Sequence, residues 1–420
     1  MGGVIAVPDD VILARAYLSR VAEPASLPVW DWVRREGPVA AAASIRRGLV
    51  DAAVADATAA RRSTADAHGD LEAAQRHGLR LVVPESADWP HFALAALEST
   101  ARRRLAGWRR DTSGARPDHD RGEPVPPLGL WVSGSADPTL LGVRSVAIVG
   151  SRAATPYGEH VTSELGYGLA RRGVSVVSGG AYGIDAVAHR SALAADGCTI
   201  LVSAGGLDRP YPTGNASLYA RAKECGLVIS ESPPGAAPHR HRFLTRNRLI
   251  AAFSTGTVVV EAAARSGALN TAAHARELGR SVMAVPGPVT SAMSAGCHQL
   301  LRAEPDPALL VTSVDDILLL VGSIGEGVER EAPPRGAAGT NEAAGLRARL
   351  DGLDPVARRV FDGLPAWRPA REDELAVRSG VCPREVIRAI PALRLAGVID
   401  VSDDGFRIAA QLRCSGGSSG

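Results

Sequence analysis

The sequence predicts an α/β protein: a doubly wound, largely parallel sheet, preceded by a small helical domain and followed by a winged helix. Three observations carry this prediction. From Val143 to about Val321, short apolar β-branched runs alternate with helical stretches, the pattern of successive βαβ units. Before that, residues 9 to about 66 carry Ala, Leu and Arg with apolar positions at helical spacing, as in Val11, Leu13, Ala14, Tyr17, Leu18 and Val21. At the far end, three helical stretches are followed by two short strands around a tight turn.

Taken in order, residues 1–70 form the helical domain and 71–321 the sheet domain. The latter opens with a strand candidate at Leu79 to Pro84 and an amphipathic helix from His91 to Leu105. Trp108 to Pro127, with Arg109, Arg110, Arg116 and Arg121 among Asp, Gly and Pro, reads as a mobile insertion. Strands follow at Ser145–Val149, Val174–Ser178, Thr199–Ala204, Leu227–Ser230, Thr257–Glu261 and Ser281–Val285. Between them lie helices at Glu159–Arg172, Ile184–Asp196, Ala216–Cys225, Arg246–Phe253 and Ala268–Leu278. Residues 322–343, a Gly, Ala, Pro and Glu mixture without period, form a linker. The winged helix occupies 344–412, with helices Pro355–Leu364, Glu372–Ser379 and Pro383–Leu395 and a hairpin turning at Asp403, Asp404 and Gly405. Residues 413–420 make a flexible tail.

Composition narrows the function classes. With 420 residues, 45% apolar and 22% charged, the chain is long enough for two or three globular domains. No stretch approaches the run of about 20 apolar residues that spans a bilayer, and the Met1 segment lacks a basic region followed by an apolar core. A cytoplasmic protein with no membrane contact is expected. The five cysteines are scattered and form no CxxC pair, which argues against a disulfide framework and against a zinc site. Lys223 is the single lysine and lies between Ala222 and Glu224, so the chain has no Walker A loop.

Four stretches carry the chemistry. The first predicted strand runs into Gly150, Ser151 and Arg152, with Thr155, Pro156, Tyr157 and Gly158 leading into a helix. Free amides at such a loop and helix start suit a phosphate, and an arginine there favours a polyanion over a neutral ligand. The second strand ends in Ser178, Gly179, Gly180, Ala181, Tyr182 and Gly183, so two glycine loops meet at one crevice. His189, four residues past Asp185, reads as packing or capping, since no nucleophile or third ligand accompanies it. The third stretch runs from His239 through Arg240, His241, Arg242, Phe243, Leu244, Thr245, Arg246 and Asn247 to Arg248 without an acid, as a phosphate-tracking groove with a base-stacking aromatic requires. Arg246 and Asn247, next to an apolar helix from Leu249, also suit an internal buttress. The fourth is Val258 to Thr271, in which Glu261 suits loop ordering while Ser266 and Gly267 suit a helix cap that offers amides to an anion.

Together these blocks resemble the DprA/Smf family of DNA-processing proteins. The matching text is VAIVGSRAATPYG (Val146–Gly158), SGGAYGIDAVAH (Ser178–His189), GGLDRPYP (Gly205–Pro212), FLTRNRLIA (Phe243–Ala251), VVVEAAARSGALNTA (Val258–Ala272) and AVPGPV (Ala284–Val289). What the resemblance implies is a dimeric Rossmann-like core, with no cofactor, that binds single-stranded DNA, protects it and loads the RecA recombinase during natural transformation. Carried across, Arg152 matches a phosphate-contacting arginine, Arg240 a basic position three residues before the base-contacting Phe243, and Arg246, Asn247 and Arg248 an RNR segment. Arg242 joins this basic set, and Gly150, Ser151, Gly179, Gly180, Ser266 and Gly267 match phosphate-facing loops. Gly180 and Tyr182 depart from the family's SGLARGID, which removes one positive charge. The helical domain resembles the family's SAM-like module, and the winged helix resembles a frequent appendage. The competing reading is a Rossmann-like nucleotide phosphoribohydrolase, which uses a carboxylate after a PGGxGT stretch; here Glu261 follows plain valines. A dinucleotide-dependent oxidoreductase is disfavoured by the missing GxGxxG.

Overall fold

In a computed structural model, residues 7–108, 123–322, 353–365, 368–402 and 404–409 are described, and the chain divides into two compact units, 1–325 and 326–420. Nine strands of the first unit join in one sheet: β1 (Arg80–Val82), β2 (Leu130–Gly134), β3 (Ser145–Val149), β4 (Ser175–Ser178), β5 (Thr199–Val202), β6 (Leu227–Ser230), β7 (Gly256–Val259), β8 (Ser281–Ala284) and β9 (Leu309–Leu310). Their order is β1-β2-β6-β5-β4-β3-β7-β8-β9. From β6 to β9 every pairing is parallel, while β1 and β2 add an antiparallel edge. After β3 the chain first builds outward through β4, β5 and β6, then returns to place β7 on the other side of β3. That reversal opens a crevice beyond the carboxyl ends of β3 and β7.

Burial on both faces explains why the strands read as continuous apolar runs. In β3, Ala147 and Val149 enter one core and Val146 and Ile148 the opposite one, as a period of two requires. The first face is covered by α6 (His91–Trp108), α10 (Arg240–Ala252), α11 (Gly267–Glu277) and α12 (Ala295–Leu301), which contribute Leu97, Ile250, Ala272 and Leu300 to its core. The second carries α7 (Pro156–Arg171), α8 (Ile184–Ala194) and α13 (Val314–Val321) through Leu169, Ala188 and Ile317. Beside them, α9 (Ala216–Cys225) and the helices α1 (Asp9–Val21), α2 (Leu27–Glu36), α3 (Pro38–Arg47), α4 (Ala52–Thr58) and α5 (Ala67–Arg76) build another core. There Tyr17, Leu18, Val33 and Ile45 pack with Trp131, Leu201, Tyr219 and Val228, so these first helices share their apolar interior with the sheet. Among the described residues no helix is long and apolar enough to cross a membrane.

The second unit has α14 (Pro355–Asp362), α15 (Glu372–Ser379), α16 (Pro383–Leu395) and a hairpin of β10 (Ile399–Ser402) and β11 (Gly405–Ile408) around a core of Val360, Leu375, Val386, Leu393 and Val398. Gly380 ends α15 at a φ of 65°, which a residue with a side chain adopts at a cost.

Three features differ from the sequence expectation. β2 follows Pro126, Pro127 and Gly129, a run that reads as loop, and β9 is only two residues long; neither is legible as a strand. The helix expected from Arg246 begins six residues earlier, at Arg240, so the basic stretch is itself helical. Finally, the expected insertion lies outside the described residues at 109–122, but its end is packed: Val125 is buried and its carbonyl accepts a hydrogen bond from Arg248. The expected linker from 323 onward and the tail also lie outside the described residues.

Candidate functional site

Beyond β3, Gly150 to Thr155 form a loop held from below by Glu261. The buried Glu261 carboxylate accepts hydrogen bonds from the Thr155 amide (2.9 Å) and hydroxyl (2.5 Å), while its carbonyl accepts from the Ser151 amide at 2.8 Å. Thr155 in turn caps α7 by accepting from the Gly158 amide. A Cβ on Gly150 would lie 2.8 Å from the Glu261 carbonyl oxygen, so only glycine permits this close approach. Across the crevice, Ser266 caps α11 by accepting from the Ala268 amide, and Gly267 faces open space. The resulting cleft has a volume of about 270 Å³, and Gly150, Ser151, Arg152, Phe243, Arg246, Asn247, Ser266 and Gly267 all contribute to its lining.

Helical phase sorts the basic stretch of α10. Arg240 is exposed at the helix start, and Phe243, three residues on and therefore on the same side, is half-buried at the cleft. The exposed Arg152 guanidinium lies 5.0 Å from the Phe243 ring centroid, a cation–π contact that joins the first loop to α10. Among the described residues neither Arg152 nor Arg240 has a carboxylate partner.

The other site candidates of α10 are buried and engaged by protein groups. Arg246 donates to the carbonyls of Gly179 and Val202, bracing the ends of β4 and β5. Gly179 permits this, since a Cβ there would lie 2.5 Å from the guanidinium. Gly180, at φ 69°, lies buried in the same loop and is not part of the cleft lining. Asn247 donates to the Gly267 carbonyl and the Asn270 side chain, tying α10 to the start of α11. Arg248, fully buried, pairs bidentately with Glu231 at 2.6 and 2.7 Å and fastens the Val125 segment. Arg242 pairs with Glu23, at the end of α1, at 2.8 and 2.9 Å, and Arg61 and His241 also reach that carboxylate. Burial alone would raise the Glu23 carboxyl, but hydrogen bonds and charge from Arg242, with Arg61 and His241, hold it at about 2.

The remaining titratable groups near the cleft are structural. Asp185 accepts from the Gly179 amide; burial raises its carboxyl against the opposing charge of Arg246. His189 bonds the Thr199 hydroxyl at 2.7 Å and is pushed down to about 3 by burial, then by Arg246, so its ring is neutral. Glu261 is buried, and each of its carboxylate oxygens accepts a hydrogen bond from Thr155. Among the described residues no group of three or more His, Cys, Asp or Glu stands where it could hold a metal ion. Sequence reasoning passed over Glu23 and Glu231, because each meets its arginine only through tertiary contact. It also passed over Tyr211, which lies in the GGLDRPYP stretch without a neighbour in sequence to suggest a role.

The model of the DNA recombination-mediator protein A family matches residues 117–322. A putative DNA processing protein DprA of Mycobacterium tuberculosis is 47% identical over 401 residues, 95% of each chain. A DNA processing protein DprA of Streptococcus pneumoniae is 42% identical over 192 residues, 46% of this chain and 66% of that one. The X-ray structure of DNA processing protein A from Streptococcus pneumoniae superposes with a TM-score of 0.56 at 27% identity, over 76% of this chain and 100% of that one. A match that takes in β2 to β9, and an identity near one half over 95% of each chain, place the chain in the DNA recombination-mediator protein A family, whose relatives here bear the name DprA.

Proposed function

We propose that the protein binds single-stranded DNA across the β3–β7 crevice and acts as a mediator that protects the strand and loads the RecA recombinase during DNA uptake. One observation carries the reading: Arg152 and Arg240, exposed and without carboxylate partners among the described residues, flank Phe243 at the mouth of a cleft walled by the Gly150–Arg152 loop and the start of α11. Exposed guanidiniums track phosphates, helix-start amides receive their oxygens, and the aromatic meets a base whatever its identity. In this division of labour Arg152, Arg240, Phe243, Gly150, Ser151, Ser266 and Gly267 face the strand, while Arg242, Arg246, Asn247, Arg248, Gly179 and Gly180 hold the surface in shape.

The same reading takes α1–α5 as the SAM-like module and α14–α16 with β10–β11 as a winged helix, and it expects a cytoplasmic homodimer. Leu309 and Leu310 on the edge strand and Leu319 on α13 are 44%, 56% and 71% exposed, an apolar sheet edge that a second copy would cover. Against the nucleotide phosphoribohydrolase alternative stands Glu261, whose carboxylate is engaged by Thr155.

The test is a fluorescence titration of labelled poly-dT, single-stranded and as duplex, at two salt concentrations, with wild type and Arg240→Ala. Tight, salt-sensitive binding to the single strand that the substitution weakens is expected. Absence of wild-type binding, together with turnover of a nucleoside monophosphate, would overturn the reading in favour of the hydrolase.

A further inference from the structure

Two tyrosines at the cleft mouth belong to no buried core. Tyr211 is 47% exposed and Tyr182 is 51% exposed. A single exposed aromatic is unremarkable on a protein surface. Tyr211, however, continues a row of rings, and Tyr182 stands against Gly214, three residues beyond it. The Tyr211 ring centroid lies 5.6 Å from that of Phe243, the planes tilted by 52°, and Arg152 follows at 5.0 Å on the same phenylalanine. The Tyr182 hydroxyl lies along the backbone of Gly214, where an added Cβ would come within 2.6 Å of it.

The loops that carry this row are fixed to one another. The Asn215 side chain donates to the carbonyls of Gly180 (3.0 Å) and Ala181 (3.2 Å), linking the loop after Tyr211 to the loop that bears Tyr182. The Tyr211 carbonyl accepts from the buried Tyr219 hydroxyl at 2.8 Å, which anchors the backbone beneath the exposed ring. Rings held on braced backbone lose little entropy when a ligand covers them, which favours stacking. Meanwhile residues 179–183 carry no cation, so the Tyr182 loop offers a strand its ring and not a charge, while the exposed Arg209 beside Tyr211 is held near Asp208.

We propose that Tyr211 and Tyr182 extend Phe243 into a stacking platform that receives bases next to the one at Phe243. This rests on the single-strand reading above and deepens it. A platform of this kind predicts affinity that depends on bases being present but not on their identity, and only weakly on salt.

The test uses the full-length protein and fluorescein-labelled dT oligonucleotides, with normal bases or with abasic positions throughout. On the normal strand, Tyr211→Ala is expected to weaken binding about tenfold, the lower range of one base–aromatic stack, with a smaller loss for Tyr182→Ala. Both should keep the wild-type salt slope and melting temperature. On the abasic strand, wild type and both variants should bind alike. Tyr211→Trp should restore affinity on the normal strand and show tryptophan quenching on binding. If wild type binds poly-dT and Tyr211→Ala binds as tightly, or loses as much on the abasic strand, the platform is wrong while the single-strand reading stands. If wild type binds no single strand at all, that reading fails and takes the platform with it.

Discussion

Within α10, two turns of helix separate arginines with opposite fates. Arg240 is exposed while Arg248 is buried against Glu231, so replacing them by alanine should fail in different ways. Arg152→Ala and Arg240→Ala are expected to leave stability within about 0.5 kcal/mol of wild type and to lower the salt slope of single-strand binding by roughly 0.7 for each phosphate no longer neutralised. Arg248→Ala leaves a buried carboxylate unpaired and should cost about 3–5 kcal/mol of stability, visible as a lowered melting temperature. Titrations run alongside thermal melts separate the two effects. His189 supplies a second prediction at this scale. Burial pushes its ring from 6.5 to about 3, so below pH 6.5 the unfolded chain takes up a proton that the folded chain refuses. Stability is therefore complete above pH 6.5 and falls as the pH drops toward 3, by up to about 1.4 kcal/mol per pH unit. Glu23 adds acid sensitivity only between 4.5 and about 2, whereas the Asp185 carboxyl, raised by burial, takes up its proton earlier in the folded chain and works against the His189 slope, so the comparison of variants isolates the histidine. Urea denaturation between about pH 7 and 5 should show this slope in wild type and a flatter one in His189→Asn.

Elements act here through their ends. The helix starts of α7 and α11 are capped by Thr155 and Ser266, and of the two it is the start of α11, through Ser266, Gly267 and Ala268, that lines the crevice beyond β3 and β7. The start of α10 has no side-chain cap; instead Arg242 and His241 turn to Glu23, so the corner between α1 and α2 sets where α10 begins. At the other edge of the sheet, β9 presents two exposed leucines on a strand with one free side. Leu310→Asp and Leu319→Asp are expected to convert a dimer to monomer in sedimentation velocity while the monomer still unfolds cooperatively, since neither side chain is part of a buried core. An unchanged dimer in both variants would move the interface elsewhere.

At the scale of the whole chain, the cleft, its bracing arginines and the helices that share a core with the sheet all lie in the unit of residues 1–325. That unit buries its own apolar residues, so residues 1–325 expressed alone should fold and bind poly-dT within about threefold of the intact chain, less than the roughly tenfold that about 1.4 kcal/mol represents. Duplex and single-strand titrations of this fragment against the intact chain would reveal what residues 326–420 add. A fragment that folds but loses single-strand binding would place part of the strand path outside the crevice.

Read alone, the sequence determined the mostly parallel sheet from β3 to β8, the positions of its two glycine loops and, apart from the start of α10, the helices between them. These depend on local periodicity: both faces of each strand are buried, so each strand is a short apolar run, and each loop needs residues without a Cβ. The same local logic made the hairpin and three helices of the second unit legible to within a residue or two. β2 and β9 were not legible, because a strand among prolines or of two residues is specified by the neighbour it pairs with. Only the tertiary structure decided which cations of the His239–Arg248 stretch are free. Composition makes the ten residues look equivalent, but helical phase aims them in different directions, and each buried arginine meets its partner far along the chain, Glu23 for Arg242, Val202 for Arg246 and Glu231 for Arg248. A charge becomes a binding group when nothing in the folded protein neutralises it, and that is a property of the neighbours that folding brings together.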